Sequence, residues 1–417
     1  MKKLPPVSTY LLIALVSGFS NRLVFTTSAI YRVQSVGLNP LQLVLVGTIL
    51  EITAFVFEIP TGVVADIISR RLSVIIGVFL IGVGFAVEGL APLFWLVLLS
   101  QVLWGLGFTF VSGALSAWIT DEIGIDRATP VFLRRTRISL IGNLLALPLS
   151  LILAKQSLAY PFVAGGLMRI LLAAALVLWM PETGFRPVPQ EDRQGWGDVW
   201  QTASSGFQQM RRHPVLRSYL LIGLLLGLYS EGWDRLGDFH LLDQFVFPDL
   251  LGVSMGSVEW FVVLSACSQV LGIAAAGIAQ RQIDRKDRVS LTGMLQGLHA
   301  LMVVSMAGFA LTGNFLGAVF ALLLFDTFRS VTFPLIDAWL NRHIRSETRA
   351  TVLSMTSQLD ALGQMSGGPL IGMVGRIFSV RMAIVAAAGI LSPTIWLFRR
   401  AGRPSSRESI LVDAGET

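Results

Sequence analysis

Long apolar runs broken by short polar stretches occupy the chain from Tyr10 to Phe398. Runs near 10–33, 40–65, 72–91, 93–120, 137–155 and 161–181 come before a longer polar stretch. Runs near 217–243, 255–280, 289–311, 314–341, 350–375 and 381–398 follow it. A helix needs about 20 mainly apolar residues to cross a bilayer, so the pattern predicts twelve transmembrane helices, six on each side of a connector. The expected organisation is a first bundle over 1–181, a connector over 182–215, a second bundle over 216–400 and a tail over 401–417. Within the connector Trp196, Trp200, Ala203, Phe207 and Met210 recur at helical spacing, followed by Arg211 and Arg212. That stripe predicts an amphipathic helix lying on the membrane surface.

The halves echo one another. Ala117, Trp118, Gly142 and Pro148 are matched 221 residues later by Ala338, Trp339, Gly363 and Pro369. Arg127-Ala128-Thr129 recurs as Arg349-Ala350-Thr351, and Asn21-Arg22-Leu23 answers Asp234-Arg235-Leu236. The expected fold class is therefore an all-α polytopic membrane protein with twelve transmembrane helices in two pseudo-symmetric six-helix bundles.

Composition supports this reading: of 417 residues 53% are hydrophobic and 14% charged, with a mean hydropathy of +0.69. A soluble domain carries roughly a quarter charged residues. Of the 32 lysines and arginines, 24 fall in breaks on the side that holds both termini, while Arg32, Lys155, Arg376 and Arg381 fall opposite. Positive loops stay inside, so the expectation is a multi-pass plasma (inner) membrane protein with both termini cytoplasmic. The net charge of +6 then reports orientation, not nucleic-acid binding. The first run is long enough to span and does not read as a cleavable signal. The single cysteine, Cys267, sits in an apolar run as an inert thiol. His213, His240, His299 and His343 are dispersed, and no phosphate-cradling glycine motif occurs. Neither metal, cofactor nor enzyme chemistry is indicated.

Between the second and third runs stand Gly62, Asp66, Arg70 and Arg71. Glycine permits close backbone approach, a carboxylate suits a helix N-terminus, and paired arginines can grip an acidic helix end such as Asp121 and Glu122. With this motif in this place the chain resembles the major facilitator superfamily, whose corresponding loop reads G-x-x-x-D-R-x-G-R-R/K. Ile67 stands where that family usually has Arg, and Ser69 where it usually has Gly. Trp104 to Ala114 with Ala117 to Glu122 looks like the fourth span of drug-exporter relatives. Arg349 to Met355 with Gly363 to Pro369 looks like their eleventh. The antiporter signature of the fifth span is reduced to Gly142 and Pro148, and its clearest echo is at Gly363, Gly367, Gly368, Pro369 and Gly372.

The resemblance implies a secondary transporter that exports an amphipathic drug-like compound or metabolite in exchange for protons. A proton-linked importer is the alternative; a membrane-embedded enzyme or a transport-dead receptor is the reading from another class. The implied partners are a small-molecule substrate, protons and the lipid bilayer. Gly62, Asp66, Arg70, Arg71, Asp121 and Glu122 would form a conformational latch, with Asp66 against the start of the eleventh span and Arg70 or Arg71 against Asp121 or Glu122.

Ionisable groups inside spans are costly and mark function by default. Arg22 and Glu51 lie deep in the first two runs, with Glu58 on the face of Glu51. Glu231, Asp234, Arg235 and Asp238 fall within an arc of roughly 100°, and Asp326 and Arg329 are one turn apart. Spans one, four, seven and ten line the cavity in the superfamily, so the resemblance turns Arg22, Glu231, Arg235, Asp326 and Arg329 inward. Glu51, Glu231, Asp234 and Asp326 are the candidate proton carriers. Equally, Arg235 with Glu231 or Asp238, and Arg329 with Asp326, can be ion pairs that brace helices. Trp118 and Trp339 are expected as interfacial anchors, Asp360, Gln364 and Gly367 as a packing face, and Arg169 has no evident partner.

Overall fold

The computed structural model describes residues 3–187, 214–284, 291–343 and 346–401. The first half contains α1 (Pro6–Phe25, continued by Ser28–Ile30 and a π-helical turn Tyr31–Ser35), α2 (Pro40–Ile67), α3 (Arg70–Leu90) and α4 (Phe94–Val111, resumed at Ala114–Ile123). It ends with α5 (Ile125–Gln156) and α6 (Tyr160–Trp179). The second half contains α7 (Pro214–Gln244), α8 (Ser257–Asp284), α9 (Leu291–Leu311), α10 (Phe315–His343), α11 (Ser346–Ile377) and α12 (Val380–Leu391, resumed at Pro393–Ala401). Ten of these segments are long and apolar enough to cross a membrane. Among the described residues α7 and α11 do not supply such a segment; the two pack against each other in the second half. The molecule is an all-α polytopic membrane protein built as two six-helix bundles. The expected amphipathic connector helix, Trp196 to Met210, lies outside the described residues.

Local sequence explains the helix ends. Asn39 accepts from the Gln42 amide while Gln42 returns the bond, a capping box in front of Pro40. Ser69 and Ser379 cap α3 and α12 by accepting from Leu72 and Met382. Gly113 and Gly124, at φ 65° and 83°, break the chain inside and after α4 in a backbone region that favours glycine. Beyond Gly124 the helix α5 begins at residue 125, twelve residues before its apolar run. The Arg127 to Arg137 group, expected in a loop, therefore rides on a helical extension whose polar surface hides it from hydropathy.

The two bundles repeat one backbone-to-backbone contact at corresponding places. A Cβ on Gly142 of α5 would come within 2.6 Å of the Leu15 carbonyl of α1, and one on Gly18 within 2.5 Å of the Ser139 carbonyl. The second bundle repeats the contact: a Cβ on Gly363 of α11 would lie 2.5 Å from the Leu224 carbonyl of α7, and Gly227 abuts Asp360. Small residues let helices approach this closely where lipid offers no hydrophobic drive. The correspondence also fixes the repeat register. Leu15, Gly18 and Phe19 answer Leu224, Gly227 and Leu228, so Arg22 is the counterpart of Glu231, one helical turn from the Arg235 that matching the sequences suggested.

Several polar residues lie deeper than expected. Arg32, placed by the sequence in a surface turn, is 3% exposed. Its Nε donates to Glu88 Oε1 at 2.7 Å, and Ser100 and Gln101 donate to Glu88 Oε2 at 2.6 and 3.1 Å. Tyr31 of the π turn donates to the Glu88 carbonyl at 2.8 Å, which ties the end of α1 to α3. Arg169 of α6 is also 3% exposed and donates to Ser20 Oγ at 2.7 Å, Asn21 Oδ1 at 2.8 Å and the Ser17 carbonyl at 3.3 Å. Trp118 and Trp339 are not interfacial anchors; both are 1% exposed. The indole of Trp118 donates to the Pro181 carbonyl, and Trp339 packs between Tyr219 and Phe398.

Removing one partner of a buried ion pair leaves the other charge uncompensated, at about 3–5 kcal/mol. Glu88→Ala should accordingly lower the thermal midpoint of the detergent-solubilised protein sharply. The double change Arg32→Met with Glu88→Leu should recover most of the loss. An equal loss in the single and double variants would contradict this account of the pair.

Candidate functional site

The described contacts between the two bundles cluster at the end away from the termini, here the far face. There Gly368 and Gly372 of α11 would bring a Cβ within 2.9 and 3.1 Å of Val44 of α2, and Gly375 within 3.2 Å of Pro40. Lys155, at the end of α5, pairs with Glu259, at the start of α8, at 2.7 Å, and Gln34 donates to Ser257 Oγ at 3.4 Å. At the terminal face a Cβ on Gly62 would meet nothing within 4 Å, and the side chain of Asp66 is 52% exposed. Among the described residues the bundles close over the far face and leave α2 uncovered at the terminal one.

Two cavities lie between and within them. One, of about 550 Å³, is lined by the first bundle, chiefly α1, α4 and α5 with Ile81 of α3 and Arg169 of α6, and includes Asn21, Arg22, Arg135 and Asn143. The other, of about 490 Å³, lies between the bundles and is lined by Glu51, Glu231, Asp234, Arg235, Asp238 and Gln364, among others. Phe25 and Trp104 border both. The structure thus brings Glu51, Glu231, Asp234 and Arg235 into one chamber and sets Arg22 in the other.

Helical spacing places Glu231 one turn before Arg235, and Arg235 Nε donates to Glu231 Oε1 at 2.8 Å. This pair is wedged into the far-face closure. A Cβ on Gly47 of α2 would fall on the Glu231 carboxylate and 2.8 Å from Arg235 Nε, and one on Gly368 would lie 3.1 Å from Glu231 Cγ. Arg329 of α10 does not take Asp326, its neighbour one turn away. It crosses to α7 and grips both carboxylate oxygens of Asp234, with Nη2 to Oδ2 at 2.9 Å. Asp326 accepts instead from Ser268 of α8 at 2.8 Å. Asp360 is held by Gln364 at 2.8 Å on the packed face of α11. Among the described residues Arg22, Glu51 and Asp238 have no hydrogen bond or ion pair, although the charge of Asp326 reaches Arg22.

At the terminal face Arg70 pairs with Asp121 and sits 3.7 Å from Asp66. Glu122 takes a different partner: it accepts from the Thr183 amide and hydroxyl and from the Gly184 amide, fastening the chain as it leaves the first bundle. Arg71 Nη2 donates to the Val177 carbonyl. Glu182 occupies the start of α3, accepting from the Arg71 amide at 2.8 Å and Ser69 Oγ at 2.7 Å. Asp66 stands beside Arg70 at the open face. The side chains of Arg349 to Val352, its expected partners, lie outside the described residues.

Sequence reasoning passed over Glu88, Glu182 and Glu259, and gave Lys155 and Trp104 no place at the site. A lone acid in the third apolar run was the one available signal for Glu88. The others take their meaning from partners distant in the chain.

A profile described as Major Facilitator Superfamily matches residues 10–363. An uncharacterised MFS-type transporter, YxaM of Bacillus subtilis (strain 168), is 22% identical over 364 residues, covering 85% of this chain and 86% of that protein. Among solved structures, a mutant of the nucleoside transporter NupG superposes with a TM-score of 0.77 at 13% identity, over 95% of this chain and 100% of that one. A bacterial homologue of the human lysosomal transporter Spinster, in an inward-facing and occupied conformation, gives 0.71 at 14%, over 96% and 97%. A D-xylose-proton symporter gives 0.69 at 13%, over 94% and 96%.

Adding a methyl at position 47 places it on the Glu231 carboxylate, so Gly47→Ala should hold α2 off α7 and loosen the far face. With Cys267→Ser as background, spin labels at positions 156 and 253 should show a longer and broader distance distribution in Gly47→Ala than in the parent. An unchanged distribution would mean that the glycine does not govern closure.

Proposed function

Because the chain belongs to the Major Facilitator Superfamily, we propose that it exports an amphipathic compound in exchange for protons, rocking its two bundles about the cavities between them. Its family makes it a transporter of a small molecule; direction and coupling are the proposal. One observation carries the coupling: the Glu231–Arg235 pair is clamped by Gly47 and Gly368 in the far-face closure, while Glu51 shares its chamber with no partner of its own.

The basic bias supports reading the terminal face as cytoplasmic, and on that reading this conformation is inward-facing and loads from within. When the terminal face closes and α2 parts from α11, the two glycines withdraw from Glu231 and water reaches it from outside. Proton uptake there breaks the pair and frees Arg235 to turn toward Glu51. Return to the inward-facing state presses the glycines back, restores the ion pair and releases the proton inside. Asp234 is committed to Arg329 and Asp326 to Ser268, which makes them supporting members of the network. Closure of the terminal face would bring Gly62, Asp66 and Arg70 against α11 as a latch. Asp66→Asn should then enrich the far-closed population in the same distance measurement, and unaltered populations would discard the latch.

A proton-linked importer uses the same parts in the opposite sense; the printed name of one structural neighbour, a D-xylose-proton symporter, supports keeping that reading. A substrate screen in proteoliposomes with an imposed pH gradient separates the two by the direction of accumulation. For any compound so found, Glu231→Gln and Glu51→Gln should fold normally and keep counterflow, yet lose gradient-driven accumulation. If accumulation survives amide replacement of Glu51, Glu231, Asp234 and Asp326, singly and together, the proton travels elsewhere.

A further inference from the structure

The two cavities differ in charge. Among the described residues no Asp or Glu lines the chamber of the first bundle, whereas Arg22, Arg135 and Arg169 do, with the amides of Asn21 and Asn143. Among the described residues Arg169 donates to neutral groups alone, so its buried charge has no counter-ion there. Arg22, half-buried one turn away, has no hydrogen bond or ion pair among the described residues. The carboxylate whose field reaches it, Asp326, stands in the other bundle and is bonded to Ser268. Arg135 lies 5.6 Å over the Tyr10 ring near the entrance, and the exposed Arg134 and Arg137 flank it.

A guanidinium presents five donors in a fixed fork that matches the oxygens of a carboxylate or phosphate. Keeping such a group in a membrane cavity without an anion is costly unless an anion arrives. Opposite the arginines the wall is aromatic and aliphatic, with Phe25, Trp104 and Phe108 prominent. The Trp104 indole nitrogen is buried without a partner and offers one more donor. A chamber of about 550 Å³ suits a compound of drug-like size.

We propose that the transported compound is an amphipathic organic anion, its carboxylate or phosphate held by Arg22 with Asn21 and Arg169 behind, and its apolar body against Trp104 and Phe108. This rests on the transporter reading for the cavity's role. Arg135 and its neighbours steer the anion to the mouth, as a basic rim does for an acidic ligand. The register that makes Arg22 the counterpart of Glu231 divides the labour: the basic half holds the anion, and the acidic half carries the proton.

The test is equilibrium binding to the purified full-length protein in detergent, without a gradient, using four probes that share one ring system: 1-naphthylacetate, 1-naphthyl phosphate, 2-(1-naphthyl)ethanol and 2-(1-naphthyl)ethylamine. At least one anion should bind at least about tenfold more tightly than the alcohol and the amine, and the better of the two anions identifies the headgroup. Arg22→Gln should weaken that anion at least about tenfold and leave the alcohol unchanged, with Arg22→Lys intermediate. Should Arg22→Gln fold poorly, Arg22→Lys and Asn143→Ala carry the comparison, each weakening the anion selectively. Equal or tighter binding of the amine or alcohol, a loss common to anion and alcohol, or no anion binding up to about 10 mM overturns the proposal. The outcome is independent of coupling: an exporter of cations would pass the gradient assay and fail here, and an uncoupled carrier of anions would do the reverse.

Discussion

Where Gly142 lies on the Leu15 carbonyl and Gly363 on the Leu224 carbonyl, two helix backbones meet with no side chain between them. In hydrocarbon there is no solvent to squeeze helices together, so close packing of this sort is what binds α1 to α5 and α7 to α11. The contact also sets rotation. With the crossing filled by backbone, the residues one turn further on, Arg22 in one half and Glu231 in the other, come to line the two cavities. The placement of charge in the cavities is therefore a consequence of helix packing and would change with any side chain added at those crossings.

Charge then dictates the remaining bonds. Arg32 is answered by Glu88, Arg235 by Glu231 and Arg329 by Asp234, each guanidinium matched to a carboxylate at the same depth. Among the described residues Arg22 and Arg169 depart from this: Arg169 is satisfied by a serine, an asparagine and a carbonyl, and Arg22 has no hydrogen bond or ion pair. The contrast explains why the charged lining of one cavity is mainly carboxylate, some of it paired, and the other keeps a positive field.

The span pattern was legible because hydropathy is a local property. Eleven helices begin within a few residues of their apolar runs, and α5 departs because its first three turns are polar and extend outside the layer. The repeat was legible in α5 and α11, where both glycine and proline recur. In α1 and α7 it was misread by one turn, because the tripeptides around Arg22 and Arg235 look alike while the packing glycines do not stand at the same distance from them. Charged residues in α1, α2, α7 and α10 were visible as candidates; their partners were not. Arg329 is 95 residues from Asp234, and which helix it reaches depends on how α7 and α10 are rotated, which no spacing within either helix encodes. Trp118 was misplaced for a similar reason: it lies near a helix end, and the chain leaving α6 folds back over it.

The counterpart relation of Arg22 and Glu231 has an electrical consequence. Two positions related by an axis along the membrane normal move by equal amounts along that normal when both bundles rock together. Here the two positions carry opposite charge. A full elementary charge crossing the membrane potential is worth about 2.3 kcal/mol per 100 mV, yet for this pair the two contributions cancel, and voltage does no work on it during the empty swing. On the proposed mechanism a bound anion or a captured proton would break the cancellation. For these two positions the potential acts on the cargo instead of the empty carrier, and a basic residue repeated in both halves would have lost that separation.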